Sequence, residues 1–312
     1  MNRRRYIAGR LVQMMVTLAI LAVLIFYMIR LIPGDPALTM LGIQATPDAV
    51  EQLRHHLGLD RPVPLQFAIF IAGVVRGDLG QSVLARVPVL DLVRQRLPLT
   101  LFLVIYAMIL ATVITVPLGT AAALRKEGAV DQAIRGFSVF WISTPSFWVG
   151  ILMLIVFGVK LGLFPVGGGG HTVAERVYYL FLPALTMGLG VSAVLTRNLR
   201  DAILGTLTAE HVIVARAKGL PARRVVIRHV LRNAIISTVT LLGLYIGFLV
   251  GGSVIIESVF ALPGMGSEMV SAILGRDYQV VQGFTLVYAV LVSAVYLLTD
   301  VAYALIDPRI SL

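Results

Sequence analysis

The sequence contains no cysteine. That excludes a disulfide framework, a thiolate metal site and a cysteine nucleophile. Charge is scarce as well: Asp, Glu, Lys and Arg make up 13% of the 312 residues, against ~25% in soluble domains. Histidine is limited to five residues. His55 and His56 are adjacent and would point to different faces of a helix, while His171, His211 and His229 are scattered, so no shared metal is expected. There is no G-x-x-x-x-G-K-[ST] loop to cradle phosphates, no H-E-x-x-H and no Ser/His/Asp set. The sequence therefore predicts no catalytic residue, no metal and no cofactor of the chain's own.

What is present is apolar. Hydrophobic residues make up 58% of the chain, with a mean hydropathy of +0.91. A membrane-spanning helix needs about 20 mostly apolar residues. Six segments qualify, near 11–29, 99–124 (with Pro117 inside), 136–159 (with "WISTPSFW"), 177–196, 234–256 and 280–299. The core of each is uncharged. The opening MNRRR with its apolar run resembles a signal peptide, but the run is long and no small-residue cleavage site follows, which predicts a retained anchor. Arg30, just past the first run, can snorkel to the interface.

The net charge is +10. In a soluble protein that would suggest nucleic acid; here the basic residues first take sides of a membrane. One set of loops holds Arg3, Arg4, Arg5 and Arg10, then Arg125, Lys126 and Arg135, then the arginines between Arg197 and Arg232, then Arg309. The alternate loops are longer and sparser in basic residues. The positive-inside rule then puts both termini in the cytoplasm of a multi-pass protein. The predicted organisation is an N-terminus and first span over 1–32, an external segment over 33–98, and a five-span core over 99–312. That core has a cytoplasmic loop at 197–233 and an external loop at 257–279. Within 33–98, Thr46 as cap, Pro47 at the first helical position and the Leu53/Leu57 spacing predict a short amphipathic helix. The 257–279 loop reads as a turn around Pro263-Gly264 followed by helix, and Gly167–Gly170 as a flexible loop.

The cytoplasmic stretch "VARAKGLPARRVVIRHVLRNA" is the least ordinary part. Thr208 is expected to cap a helix through Lys218, Gly219 to stop it in the left-handed conformation, and Pro221 to open the next. The product is a helix–turn–helix elbow at the membrane surface. Ala215 and Ala217 keep its first helix slim for close approach by another surface. Arg224, Arg228 and Arg232 recur at i, i+4, i+8 as a basic stripe. Those arginines suit a second reading, as topology anchors on anionic headgroups. Nucleic acid is disfavoured, because the loop has no aromatic residue for base stacking.

These residues resemble a known family. "ARAKGLPARRVVIRHVLRNA" is similar to the EAA loop of binding-protein-dependent ABC importer permeases, particularly the dipeptide/oligopeptide/nickel type. "GDPA", "LRHHLGLDRPVPLQF", "GDLGQSV" and "RLPLTL" resemble that family's first external segment. "ESVFALPGMG", "RDYQVVQG" and "ALIDPRI" resemble its last third. The sequence departs from the general loop consensus at Ile213, where Glu is expected, and at Arg232, where Pro is expected. The resemblance implies an all-α fold with six transmembrane helices, of the ABC type I importer permease kind, in a bacterial cytoplasmic membrane. It implies a second homologous permease, cytoplasmic ATP-binding subunits carrying ATP and Mg, and an external substrate-binding protein. Ala215, Arg216, Ala217, Lys218, Gly219 and Leu220 would be the coupling helix seated in an ATPase subunit, and dipeptides or oligopeptides the cargo, with nickel or another small solute as alternative.

Small or polar residues inside apolar spans are candidate path-lining positions: Ser143, Thr144, Pro145, Gly251, Gly252 and Ser253. Close helix packing is the plainer use of such residues. Glu257, Pro263, Gly264, Gly266 and Asp277 are candidates for an external gate or for contact with the binding protein, with a plain surface loop as the alternative. A stand-alone secondary transporter or channel is a reading of a different class. It would be expected to carry ionisable residues in mid-membrane, and the six span cores have none. A membrane-embedded enzyme lacks its catalytic set.

Overall fold

A computed structural model describes residues 3–31, 46–56 and 58–306. The "GDPA" motif, Leu57 and the end of "ALIDPRI", with Arg309, lie outside the described residues. The described chain is helical, with one isolated antiparallel bridge, Gln81 to Pro88. Four helices are long and apolar enough to cross a membrane, and the number reaches six if two bent helix pairs are each one span. The six predicted segments are therefore all helical, but two of them are not straight.

The chain divides into two compact units. The first comprises residues 1–100 and 263–294. It holds α1 (Arg3–Arg30), α2 (Pro47–His56), α3 (Val63–Arg76), the start of α4 (Val89–Leu124), α11 (Met265–Leu274) and the first part of α12 (Tyr278–Ile306). The unit draws together stretches far apart in sequence. The reason is a core that joins distant stretches: Val89, Leu92 and Val93 pack with Met265, Ala272, Val280 and Phe284. The predicted cap of α2 is present, with the Ala49 N–H donating to Thr46 Oγ1 at 3.3 Å.

The apolar helix α3 went unrecognised in the sequence. It starts on Pro62-Val63 and stops at Gly77, whose φ of +79° suits a left-handed C-cap. Phe67 and Phe70 of α3 pack on Phe26 of α1, with ring centroids 5.1 and 5.6 Å away. Arg30 lies just beyond the first candidate span. Its guanidinium stacks 3.4 Å over the Phe26 ring and donates to Gln66 Oε1. Burial pulls its pKa down from the usual guanidinium value.

The second unit comprises residues 101–262 and 295–311. At its centre runs α8 (Phe181–Leu207), preceded at a 60° bend by the short α7 (Val173–Tyr179). A capping box at Thr172 and Glu175 starts α7. The third predicted span is two helices, α5 (Ala129–Ser143) and the run Ser146–Lys160 (α6), meeting at 101°. Thr144 and Pro145 are both extended there, because proline disfavours helical backbone in the residue before it. Pro117, by contrast, lies within the unbroken helix α4.

The helix that contains the fifth predicted span extends beyond it at both ends. It starts at Ala222, includes a π-helical turn over Val225–Leu231 and ends at Val259 (α10). Large apolar side chains on the long helices remain exposed, among them Val113, Phe248 and Leu298. In water such a surface would be unfavourable; in lipid it carries no penalty.

Candidate functional site

The elbow forms as the sequence predicts at its turn and differently at its start. The helix α9 (Glu210–Ala217) has Ala209 at its N-cap and no side-chain cap. Thr208 is not the cap; its hydroxyl donates to the Gly205 carbonyl at 2.9 Å, ending α8 instead. At the other end the Gly219 N–H donates to the Arg216 carbonyl at 2.9 Å and the Leu220 N–H to the Ala215 carbonyl at 3.3 Å. This pair of bonds is a Schellman stop. It requires φ > 0 at Gly219, where φ is +73° and no other group comes within 4 Å of a Cβ position. Pro221 follows as the N-cap of α10 rather than inside its first turn.

The elbow is fastened inward. Val212 and Ala215 are buried with Leu199 and Ile203 of α8, Val225, Val230 and Ala234 of α10, and Ala123 of α4; Leu220 packs on the same cluster. Asn233 adds a polar tie, bonding His211 Nε2 at 3.0 Å and donating to the His229 carbonyl at 2.9 Å. Ala215 therefore faces its own spans. The outward face carries Ile213 and Val214, about half exposed, with Arg216, Ala217, Lys218 and Gly219. Arg224, Arg228 and Arg232 are all exposed, and the helix between them includes the π turn Val225–Leu231.

A salt bridge that sequence reasoning missed lies nearby. Arg200 of α8 grips Asp131 of α5 with two bonds of 2.7 Å, Nε to Oδ1 and Nη2 to Oδ2. Asp131 is fully buried and also accepts from the Glu127 N–H at 2.9 Å. Arg200 donates further to Asp201 at 3.0 Å. The available signal was an acidic residue in the first turn of α5 and an arginine near the end of α8, two charges at the margins of apolar runs.

Of the path-lining candidates, the fold brings Thr144 and Gly252 to one cleft of ≈ 230 Å³, with Trp141, Met187, Tyr245 and Phe248. Ser143, Pro145, Gly251 and Ser253 are not on it; Ser253 is buried and donates to the Val250 carbonyl at 2.9 Å. A second cleft of ≈ 330 Å³ shares Ile142 with the first and is lined by Arg135, Arg197 and Arg200.

The gate candidates lie mostly inward. Glu257, Gly264 and Gly266 are buried and Pro263 is exposed. Asp277 is buried and accepts from Ser82 Oγ at 2.6 Å, the Leu84 N–H at 3.1 Å and the Val280 N–H at 3.4 Å. Its carboxylate ties the 82–84 turn to the start of α12.

Apolar helices of this length and exposure make the chain a multi-pass membrane protein. The chain belongs to the family of binding-protein-dependent transport system inner membrane components, whose pattern it matches over residues 115–312. Residues 3–104 match the N-terminal family of membrane components of the same systems. It is 37% identical to the dipeptide transport system permease protein DppB of Lactococcus lactis subsp. cremoris over 99% of both chains. It is 38% identical to the glutathione transport system permease protein GsiC of Escherichia coli over 98% of both.

Among solved structures it resembles inward-facing conformations of the MetNI methionine ABC transporter, with a TM-score of 0.59 and 16% identity over 69% of this chain and 96% of that one. An amino acid ABC transporter gives a TM-score of 0.50 and 17% identity over 70% of this chain and 98% of that one. At such identity the likeness is one of fold. The chain is thus a permease of a binding-protein-dependent importer, and the readings as a stand-alone carrier or a membrane enzyme give way.

Proposed function

We propose that the chain is one of two related permeases of an ATP-driven importer for short peptides, with both termini and the elbow on the cytoplasmic side. In this reading a second permease completes the path, two ATP-binding subunits supply ATP and Mg, and an external protein delivers cargo. The peptide assignment rests on relatives that carry dipeptides and glutathione, itself a tripeptide. The Thr144–Gly252 cleft is this chain's share of the path.

The observation that carries the reading is the two-faced elbow. Its inner face is locked to α4, α8 and α10 through one apolar cluster, while Ile213, Val214 and Lys218 stand outward. A short helix seated in an ATPase subunit and fastened in this way moves with those helices as a rigid body. The exposed arginines suit either an acidic partner surface or headgroups.

The test uses the Gly219 stop. Valine there strains the left-handed turn by ~1–2 kcal/mol, while asparagine enters it more readily. Gly219→Val is expected to keep normal membrane abundance, lose dipeptide uptake and stop co-purifying with the ATP-binding subunit, whereas Gly219→Asn retains most of both. Normal uptake by Gly219→Val, together with lost membrane insertion when Arg224, Arg228 and Arg232 are neutralised, would make the stretch a topology anchor instead.

A further inference from the structure

The basic cleft beside the salt bridge has the composition of an anion site. It lies between α5 and α8, is lined by Ser138, Val139, Thr196, Arg197, Arg200 and Arg135, and meets the apolar, aromatic cleft at Ile142. Both acidic groups near it, Asp131 and Asp201, are turned to Arg200. Arg135 donates to Gln132, a neutral partner, at 3.3 Å. Arg197 is exposed, and among the described residues no salt bridge engages it or Arg135. The cleft therefore keeps positive charge that its own carboxylates do not cancel.

Thr196 supplies an independent sign. Its side chain is 1% exposed and its hydroxyl has no hydrogen-bond partner. On the same helix Thr186 and Thr206 donate to the carbonyls of Leu182 and Ala202, four residues back, at 2.8 Å each. The corresponding carbonyl for Thr196 is that of Ser192, which instead accepts from Thr115 Oγ1 at 3.4 Å. A buried hydroxyl left without a partner costs about 1–3 kcal/mol, so an acceptor arriving in the cleft would recover that. One hydroxyl donor and the guanidinium groups of Arg135 and Arg197, neither of them in a salt bridge among the described residues, match an oxyanion.

We propose that this cleft is an oxyanion site that receives the carboxylate of a solute passing along the α5–α8 groove. The proposal rests on the permease reading above. It makes the groove apolar and aromatic on one side of Ile142 and carboxylate-binding on the other, which fits a peptide with its side chains in the first cleft and its terminal carboxylate in the second. A lipid phosphodiester offers the same oxyanion chemistry, and the experiment separates the two.

The chain has no cysteine of its own, so Val139→Cys at the exposed rim of the cleft is a single reporter in the full-length protein. Its alkylation by a maleimide is measured in nanodiscs of phosphatidylcholine alone and with phosphatidylglycerol added. Alanyl-alanine is expected to slow alkylation in both, and its C-terminal amide in neither. Arg197→Gln or Thr196→Val should raise the alanyl-alanine concentration required about tenfold. Equal protection by the amide, or no protection by either peptide, overturns the proposal. Protection that follows phosphatidylglycerol and ignores the dipeptide assigns the cleft to lipid and overturns it as well. Alanyl-alanine uptake by cells is the separate readout: uptake that depends on this chain without protection at Val139→Cys removes the oxyanion site and leaves the permease reading intact.

Discussion

Single charges decide more here than their number suggests. Asp131 is fully buried and Arg200 is 13% exposed, so their two bonds of 2.7 Å are made largely away from water. Removing one partner of such a pair leaves an uncompensated charge, at a cost of about 3–5 kcal/mol. Asp131→Ala is expected to lower the melting temperature of the detergent-purified protein markedly. Asp131→Ala combined with Arg200→Met should cost less than the two single changes added together. Additive losses would show that the pair does not couple α5 to α8. Asp277, a candidate for an external gate or binding-protein contact, is a related case in the first unit: it is a buried acceptor for three donors.

At the scale of elements, α8 packs closely on one side and borders an open cleft on another. Gly188 faces α4: a Cβ there would sit 3.0 Å from the Ala107 carbonyl oxygen and 3.3 Å from the Ala111 nitrogen. Gly190, two residues on, has open space around it and lines the Thr144–Gly252 cleft. Gly188→Leu must push backbone apart, because overpacking a close helix contact costs about 1–3 kcal/mol. It should reduce the amount of folded protein in the membrane. Gly190→Leu should leave that amount unchanged and fill the cleft, so that uptake falls. Quantitative blotting beside a transport assay distinguishes the two, and a stable Gly188→Leu would mean that α8 and α4 are not closely packed. The 101° break between α5 and α6 is likewise an element-level feature, and Trp141 and Thr144 beside it line the same cleft.

For the whole molecule the testable property is sidedness. The arginine distribution predicts that the elbow is cytoplasmic and the 33–98 segment external. Lys218 and Val75 are both exposed, and the chain has no native cysteine. Added outside intact cells, a membrane-impermeant maleimide should label Val75→Cys and spare Lys218→Cys. Labelling of Lys218→Cys alone would invert the assignment. The missing phosphate loop carries a second expectation at this scale: the chain purified without partners neither binds nor hydrolyses ATP, as isothermal titration and phosphate release would show.

Amino-acid order by itself determined the helical class, the six apolar segments and the stop at Gly219. Each of these follows from local physics, the length of an apolar run or the freedom of glycine at φ > 0. It also placed Thr144 and Gly252 among the path candidates, because a small or polar residue in an apolar run stands out. Only the tertiary structure decided which apolar faces meet another helix and which stay exposed, since both are written with the same residues. Hence Ala215 turned inward, Asp277 became a tie, and the first unit recruited residues 263–294. The Asp131–Arg200 pair and the stranded Thr196 hydroxyl were hidden for the same reason. Whether a buried polar group is satisfied depends on partners tens of residues away, and nothing in local sequence states that distance.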